Sequence, residues 1–256
     1  MDLDCGETHG VGMRLPSKLQ PPIGFAHRGA RAHAPENTAE SFDLAIKLGA
    51  TGIESDVWLT ADRQLILTHD GTIGLRRRQL SSLERSELPD SWITLPELLE
   101  RIPNDVDVSI DIKTDDALAP TYEWLSTLDP ITRGRVYLCH HDWKTLAEWR
   151  PRDEFVRLID STSLRAMADG AERRAFQLSD AGIDGVNLHN KEWTGGFATL
   201  FHRFDLLCFG WDAQHPRIQR DLFRMGLDGI YSDHVDLMME SLAEHLAGGP
   251  AQEPTV

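Results

Sequence analysis

From Ile23 onward the chain alternates short β-branched or aromatic runs with amphipathic helical stretches, the pattern of repeated β–α units around a parallel sheet. Nine runs read as strands: "IGFAH", "GIESDV", "QLILTH", "VDVSIDI", "RVYLCH", "FVRLI", "GVNLH", "LLCFG" and "DGIYSD". Eight such units close a (β/α)8 barrel, so one run is in excess. Spacing identifies it. Only seven residues, Trp58 to Gln64, separate Val57 from Leu65, whereas a parallel crossover needs about a dozen or more. "QLILTH" must therefore run antiparallel to "GIESDV", as a β-hairpin excursion after the second barrel strand.

Each remaining strand is followed by a helical stretch, around 38–48, 95–102, 120–128, 143–149, 163–181, 199–203, 215–225 and 235–246. The length of 256 residues is close to the roughly 250 of one such barrel. No composition shift divides the chain. The expected architecture is α/β, a single TIM-type (β/α)8 barrel over residues 23–246, preferred to an open Rossmann-like sheet. Residues 1–22, which open with acids, and the Gly/Pro-rich 247–256 read as flexible tails.

The formal net charge of −15 excludes broad electrostatic binding to nucleic acid or to an anionic membrane, because both depend on basic surface. No apolar run reaches the length of a membrane span, and stable membrane insertion is not expected. Cys5, Cys139 and Cys208 are an odd set without zinc-like spacing, which argues against a disulfide framework and for a reducing, cytoplasmic setting.

Against this acidic background the stretch "FAHRGARAHAPENTAESF" (Phe25–Phe42) is a cationic island with two histidines and two arginines at the end of the first strand. In a barrel the functional end is the ring of strand C-termini. Glu54 and Asp56 are two apart on the second strand and share a face; Asp111 and Lys113 stand in the same relation on the third, its neighbour. Three carboxylates so placed repel one another unless a cation sits among them. An oxygen-only set of Glu54, Asp56 and Asp111 suits one divalent cation, Mg2+ or Ca2+, rather than zinc. Salt-bridged acids are the bland alternative. Lys113 then stands by the metal as a cation for an anionic substrate, or simply as the partner of Asp111. His27 and Arg28 end the first strand, and His69 ends the excursion, which returns it to the same mouth. A metal, an arginine and a lysine neutralise a phosphate; two histidines supply an acid and a base. The small anion expected here is a phosphate ester.

At these residues the chain resembles the glycerophosphodiester phosphodiesterase family. The matching segments are "AHRGARAHAPENTAESF", "GATGIESDVWLTADRQLILTHDGTI", "LPELLE" and "SIDIKT", and more weakly "FGWDAQ" and "GLDGIYSDHVD", in order over about Ile23 to Asp236. The resemblance implies a (β/α)8 barrel, one divalent cation, and hydrolysis of a small glycerophosphodiester substrate to glycerol 3-phosphate and an alcohol. It implies that His27 and His69 are catalytic, that Glu54, Asp56 and Asp111 hold the metal, and that Arg28 and Lys113 contact phosphate. It further places Trp211 in the wall of the substrate pocket, gives Glu36 and Asn37 a loop-ordering role, and makes Thr38 the cap of the first helix.

Three departures from the family stand out. Asp111 occupies a position where the family has Glu, which shortens the reach to a metal. The fourth strand ends in "CHHD", Cys139 to Asp142, where the family has Ser-Phe; alternation along a strand points these side chains opposite ways, against a zinc cluster. The segment after His69 lacks the family's larger insertion, and its Arg76–Arg78 run reads as solvated charge. Two other functions compete: a lysophospholipase D acting on lysophospholipids, and a non-catalytic phosphate-ester binding module. No amphipathic membrane helix supports the first, and a binding module has no use for an acid–base pair.

Overall fold

The structure, a computed structural model, describes residues 14–248. Its strands are β1 (Ile23–His27), β2 (Gly52–Leu59), β3 (Leu65–Leu67), β4 (Thr72–Ile73), β5 (Arg78–Gln79), β6 (Asp107–Ile112), β7 (Val136–His140), β8 (Arg157–Ser161), β9 (Gly185–His189), β10 (Leu207–Trp211) and β11 (Gly229–Ser232). Strands β1, β2 and β6 to β11 pair in parallel, and the β1–β2 pairing closes the ring. The result is the eight-stranded TIM-type barrel. β3 pairs antiparallel to β2, with Val57 opposite Leu67 and Leu59 opposite Leu65, so the excursion is a hairpin as its short linker requires.

The helices are α1 (Ala39–Lys47), α2 (Leu95–Arg101), α3 (Asp115–Leu125), α4 (Pro130–Gly134), α5 (Trp143–Ala147), α6 (Ala171–Asp180), α7 (Gly195–Arg203), α8 (Pro216–Arg224) and α9 (Val235–Ala247). They form the outer layer and bury the sheet's outward residues, among them Ile53, Val57, Val108, Ile110, Leu138 and Leu158. Thr38 caps α1, its hydroxyl accepting from the Ser41 N–H at 3.2 Å. Four helices depart from the sequence reading: α7 begins at Gly195, four residues before the expected 199, and α4 lies where no helix was expected. α3 begins five residues before Pro120, which lies within it rather than at its start. The expected stretch 163–181 is interrupted by Gly170 at φ 88°, a left-handed conformation that ends one turn and restarts the helix as α6.

Inside the barrel, Phe25, Tyr137, Phe209 and Tyr231 form an aromatic plug. Phe25 stacks on Tyr231 at 4.7 Å and meets Tyr137 and Phe209 edge-on at 5.7 and 5.8 Å. The plug leaves no room for a side chain at Gly52, where a Cβ would lie 2.4 Å from the Phe25 ring. This plug is the floor of the site. Because side chains alternate along a strand, the residues two positions beyond the floor face the mouth. His27 follows Phe25, Cys139 follows Tyr137, Trp211 follows Phe209 and Asp233 follows Tyr231.

At the opposite end, Asp228 fastens residues 14–22 to the barrel base. Its carboxylate accepts from the backbone N–H groups of Lys18 (2.6 Å) and Leu19 (2.9 Å), from Cys208 N–H (2.7 Å) and from the His202 ring (2.8 Å). Leu15 N–H donates to the Arg224 carbonyl at 3.0 Å. The described part of the expected N-terminal tail is thus docked. Residues 1–13 and 249–256 of the two expected tails lie outside the described residues.

Candidate active site

A cavity of about 790 Å3 opens at the C-terminal ends of the strands. His27, Arg28, Glu54, Asp56, His69, Asp111, Lys113 and Trp211 all line it, brought together from five strands and their loops. Strand register explains the grouping. Glu54 pairs with His27 on one side, and Asp56 lies beside Asp111 on the other.

His27 Nδ1 lies 2.6 Å from Asp233 Oδ1, so the carboxylate fixes the ring and turns Nε2 toward Glu54, 3.9 Å away. Asp233 is itself held by Arg31 Nη1 (3.1 Å), and its N–H donates to Gln214 Oε1 (2.9 Å). Burial opposes the imidazolium form of His27, but the Glu54 charge and the Asp233 hydrogen bond outweigh it and raise its pKa. Asp233 was absent from the residues nominated above. Its only sequence signal is its place at the end of the last strand, in phase with Tyr231.

Arg28 adopts φ 53° and Gly29 φ 79°, a left-handed turn in which a Cβ on Gly29 would strike Ser41. The turn points the Arg28 N–H at Glu54 Oε2, 3.0 Å away. The Arg28 guanidinium pairs with Glu36 at 3.2 Å and with Asp56 at 3.2 Å. Asn37, buried, accepts from the Ser55 hydroxyl at 2.7 Å, and its N–H donates to the Arg28 carbonyl at 3.0 Å. Glu36 and Asn37 therefore tie the loop to Arg28 and β2.

Lys113 Nζ spans two carboxylates, 2.7 Å from Asp56 Oδ1 and 2.5 Å from Asp111 Oδ2. Burial lowers its pKa, but the two anions outweigh burial and the net shift is upward. Asp111 is raised, chiefly by burial, with Lys113 opposing. Glu54 is pushed up to about 7 by burial and by the charge of Asp56. Asp56 Oδ2 is buried with no hydrogen bond among the described residues, although Arg28 Nε lies 3.2 Å away in poor alignment.

These features fit a cation among the three acids: the donors are all oxygen, two of them are held toward their neutral form by crowding and burial, and one buried oxygen has no donor. Glu54, Asp56 and Asp111 are not themselves gathered within 4.8 Å. Among the described residues, the groups that are so gathered are His33, His234 and Asp236, and His202, Cys208 and Asp228.

His69 is half-exposed, its Nδ1 3.1 Å from Asp70, while its carbonyl accepts from the Trp58 indole at 3.3 Å. Trp211 is 42% exposed at the mouth and packs edge-on against His189 at 4.5 Å. The "CHHD" cluster is split: Cys139 and His141 line the cavity, whereas buried His140 lies 3.2 Å from Asp115 on the helix side, and Asp142 caps α5. Burial pushes the Cys139 thiol up to about 12, an inert form. Asn187, buried at the wall opposite the histidines, has an Oδ1 without a hydrogen-bond partner among the described residues.

Residues 27–237 match the glycerophosphoryl diester phosphodiesterase family. The chain belongs to this family. As a family member it is a phosphoric diester hydrolase, and the hydrolysis of glycerophosphodiesters is the activity the family carries. The chain is 26% identical over 249 residues to "Probable glycerophosphodiester phosphodiesterase 2" of Mycobacterium tuberculosis, covering 86% of this chain and 90% of that one. Its fold matches the glycerophosphodiester phosphodiesterase of Thermotoga maritima with TM-score 0.74 and 22% identity, covering 86% of this chain and 97% of the other. It also matches an Oleispira antarctica phosphodiesterase solved with its product sn-glycerol-3-phosphate, with TM-score 0.72, 17% identity and coverage of 88% and 98%. No helix among the described residues of this family member is long and apolar enough to cross a membrane.

Proposed function

We propose that the chain hydrolyses small glycerophosphodiesters to glycerol 3-phosphate and an alcohol by a divalent-metal-dependent reaction with His27 and His69 as its acid–base pair. The observation that carries the reading is one cavity lined by both histidines, Arg28, Lys113 and all three acids. The titratable groups differ in how they are held. His27 is locked by Asp233, whereas His69 is half-exposed on the excursion. A fixed imidazole and a solvent-reached one suit proton transfer at two different oxygens of the same phosphorus.

Glu54, Asp56 and Asp111 would hold the cation. Bound there, a divalent ion neutralises phosphoryl charge and lowers the pKa of the attacking hydroxyl. Arg28 and Lys113 supply the fixed positive charge that stabilises the phosphoryl oxygens as negative charge grows on them. Both are pre-paired with carboxylates, which orients them before substrate arrives. Trp211 forms an exposed edge of the pocket where the leaving alcohol group can lie.

The test is release of choline, the product common to both substrates, measured by a coupled assay with glycerophosphocholine and with lysophosphatidylcholine, each with and without a chelator. Turnover of glycerophosphocholine that chelation abolishes is the expected result. Preference for the acylated substrate would replace the reading with a lysophospholipase D, and no turnover of either would leave a binding module.

A further inference from the structure

A second group of ligating side chains sits on the rim of the barrel, outside the cavity lining. His33 lies on the loop between β1 and α1, and His234 and Asp236 lie where β11 passes into α9. One ligand atom from each lies within 4.8 Å of the other two. His33 Nε2 is 3.1 Å from Asp236 Oδ1, and the His33 and His234 rings meet edge-on at 6.2 Å. The backbone sets this meeting. The Ala32 N–H donates to the Asp233 carbonyl at 3.2 Å, bridging the two loops, and the His234 N–H donates to Ser232 Oγ at 3.1 Å. A surface ion pair accounts for His33 and Asp236 but leaves the second imidazole unexplained, since the His234 ring makes no hydrogen bond among the described residues.

We propose that His33, His234 and Asp236 form a separate rim site for a divalent transition ion of the Zn2+ type. Two imidazoles and one carboxylate favour zinc, nickel or copper over Mg2+ and Ca2+. Tetrahedral zinc with bonds of about 2.0–2.2 Å places its ligand atoms roughly 3.4 Å apart. The His33–Asp236 pair, at 3.1 Å, is near that spacing, and the His234 ligand atom lies within 4.8 Å of both. His33 is exposed, so a fourth position is open to water. The other compact group, His202, Cys208 and Asp228, is a poor rival: both Asp228 oxygens are committed to four donors. Bound at the rim, the ion ties the loop that carries Arg28 and Asn37 to the loop that carries Asp233, and stabilises the mouth without touching the cavity.

The test is calorimetric titration of the full chain with Zn2+ in a large excess of Mg2+, which keeps hard-ion sites saturated. Wild type should bind one Zn2+ ion. His33→Ala and His234→Ala should each weaken that binding at least about tenfold, while Mg2+-supported turnover of glycerophosphocholine changes by less than about twofold. With Co2+ in place of Zn2+, wild type should show visible absorption bands that both variants lose. The proposal is overturned if wild type binds no Zn2+ under these conditions, or if either variant keeps wild-type affinity.

Discussion

His27 Nδ1 and Asp233 Oδ1 stand 2.6 Å apart across the seam where the last strand of the barrel meets the first. The two residues are 206 positions apart in sequence, yet register makes them neighbours, because Ala26 pairs with Ser232 and His27 and Asp233 each follow that pair by one residue at the mouth. The carboxylate both orients the ring and favours its protonated form. Asp233→Asn keeps the shape but removes the charge. It should lower kcat by about 10-fold or more and shift the His27 limb of the pH–rate profile to lower pH, since the Asp233 charge is one of the causes that raise His27. A fall in kcat with an unmoved profile would give Asp233 a purely structural role.

Replacement of His27 or His69 by Ala should reduce kcat by about 10²–10⁴-fold, the range for a lost general acid or base. Neither residue is part of the apolar plug, so the thermal midpoint should change little. Steady-state kinetics with glycerophosphocholine decides; near-normal turnover in either variant removes that residue from the mechanism.

The barrel could be read from sequence because its decisive signal is local: the strand runs, and a seven-residue linker too short for a parallel crossover. The grouping of Glu54, Asp56, Asp111 and Lys113 was legible for the same reason, since strand alternation and the adjacency of β2 and β6 follow from chain order. Asp233 and Asn187 were not legible. Each gains its meaning only from what the closed barrel puts opposite it: the His27 ring for one, the active-site cavity for the other. The docking of residues 14–22 was missed because it depends on one buried carboxylate, Asp228, collecting donors from distant segments. The Lys113–Asp111 contact is one of the two readings the sequence leaves open for that lysine, whereas its second contact, to Asp56, escapes a one-dimensional reading.

Asn187 carries a buried Oδ1 with no partner among the described residues, and such an atom costs about 1–3 kcal/mol when nothing donates to it. Its place on the cavity wall makes a substrate hydroxyl the natural donor. Asn187→Leu, which keeps the branched shape and removes the polar atoms, should therefore leave the thermal midpoint unchanged or higher while reducing kcat/KM about tenfold through KM. A variant that melts lower with unchanged KM would show that the amide is structural.

Removing Lys113 should expose the repulsion it now offsets. Lys113→Met leaves Asp56 and Asp111 without their shared cation, so metal-free protein should lose thermal stability and recover it on adding Mg2+. Turnover at saturating substrate should fall by about 10²-fold, as for other lost charge-stabilising donors. If only KM rises, Lys113 serves binding alone.

The metal reading makes a pH prediction whose direction is fixed by Glu54. Burial and the neighbouring Asp56 raise its pKa from an ordinary 4.5 to about 7. In metal-free protein a raised carboxyl contributes its stability in full below pH 4.5 and loses it as pH rises toward 7, because ionisation then places a third charge beside Asp56 and Asp111. A divalent ion requires the ionised form, so the pH trend of binding is opposite: apparent affinity should rise about tenfold per pH unit up to pH 7 and level off above it, if one proton is displaced. The thermal shift caused by Mg2+ should grow over the same interval. Glu54→Gln should flatten both trends and weaken binding. Asp111→Asn should also weaken binding, whereas Asp111→Glu, one methylene longer, should preserve or tighten it. Calorimetry between pH 5 and 8 reads all of these. Metal affinity independent of pH, together with unchanged binding in Asp111→Asn and activity that survives chelation, would leave the three acids a structural role only.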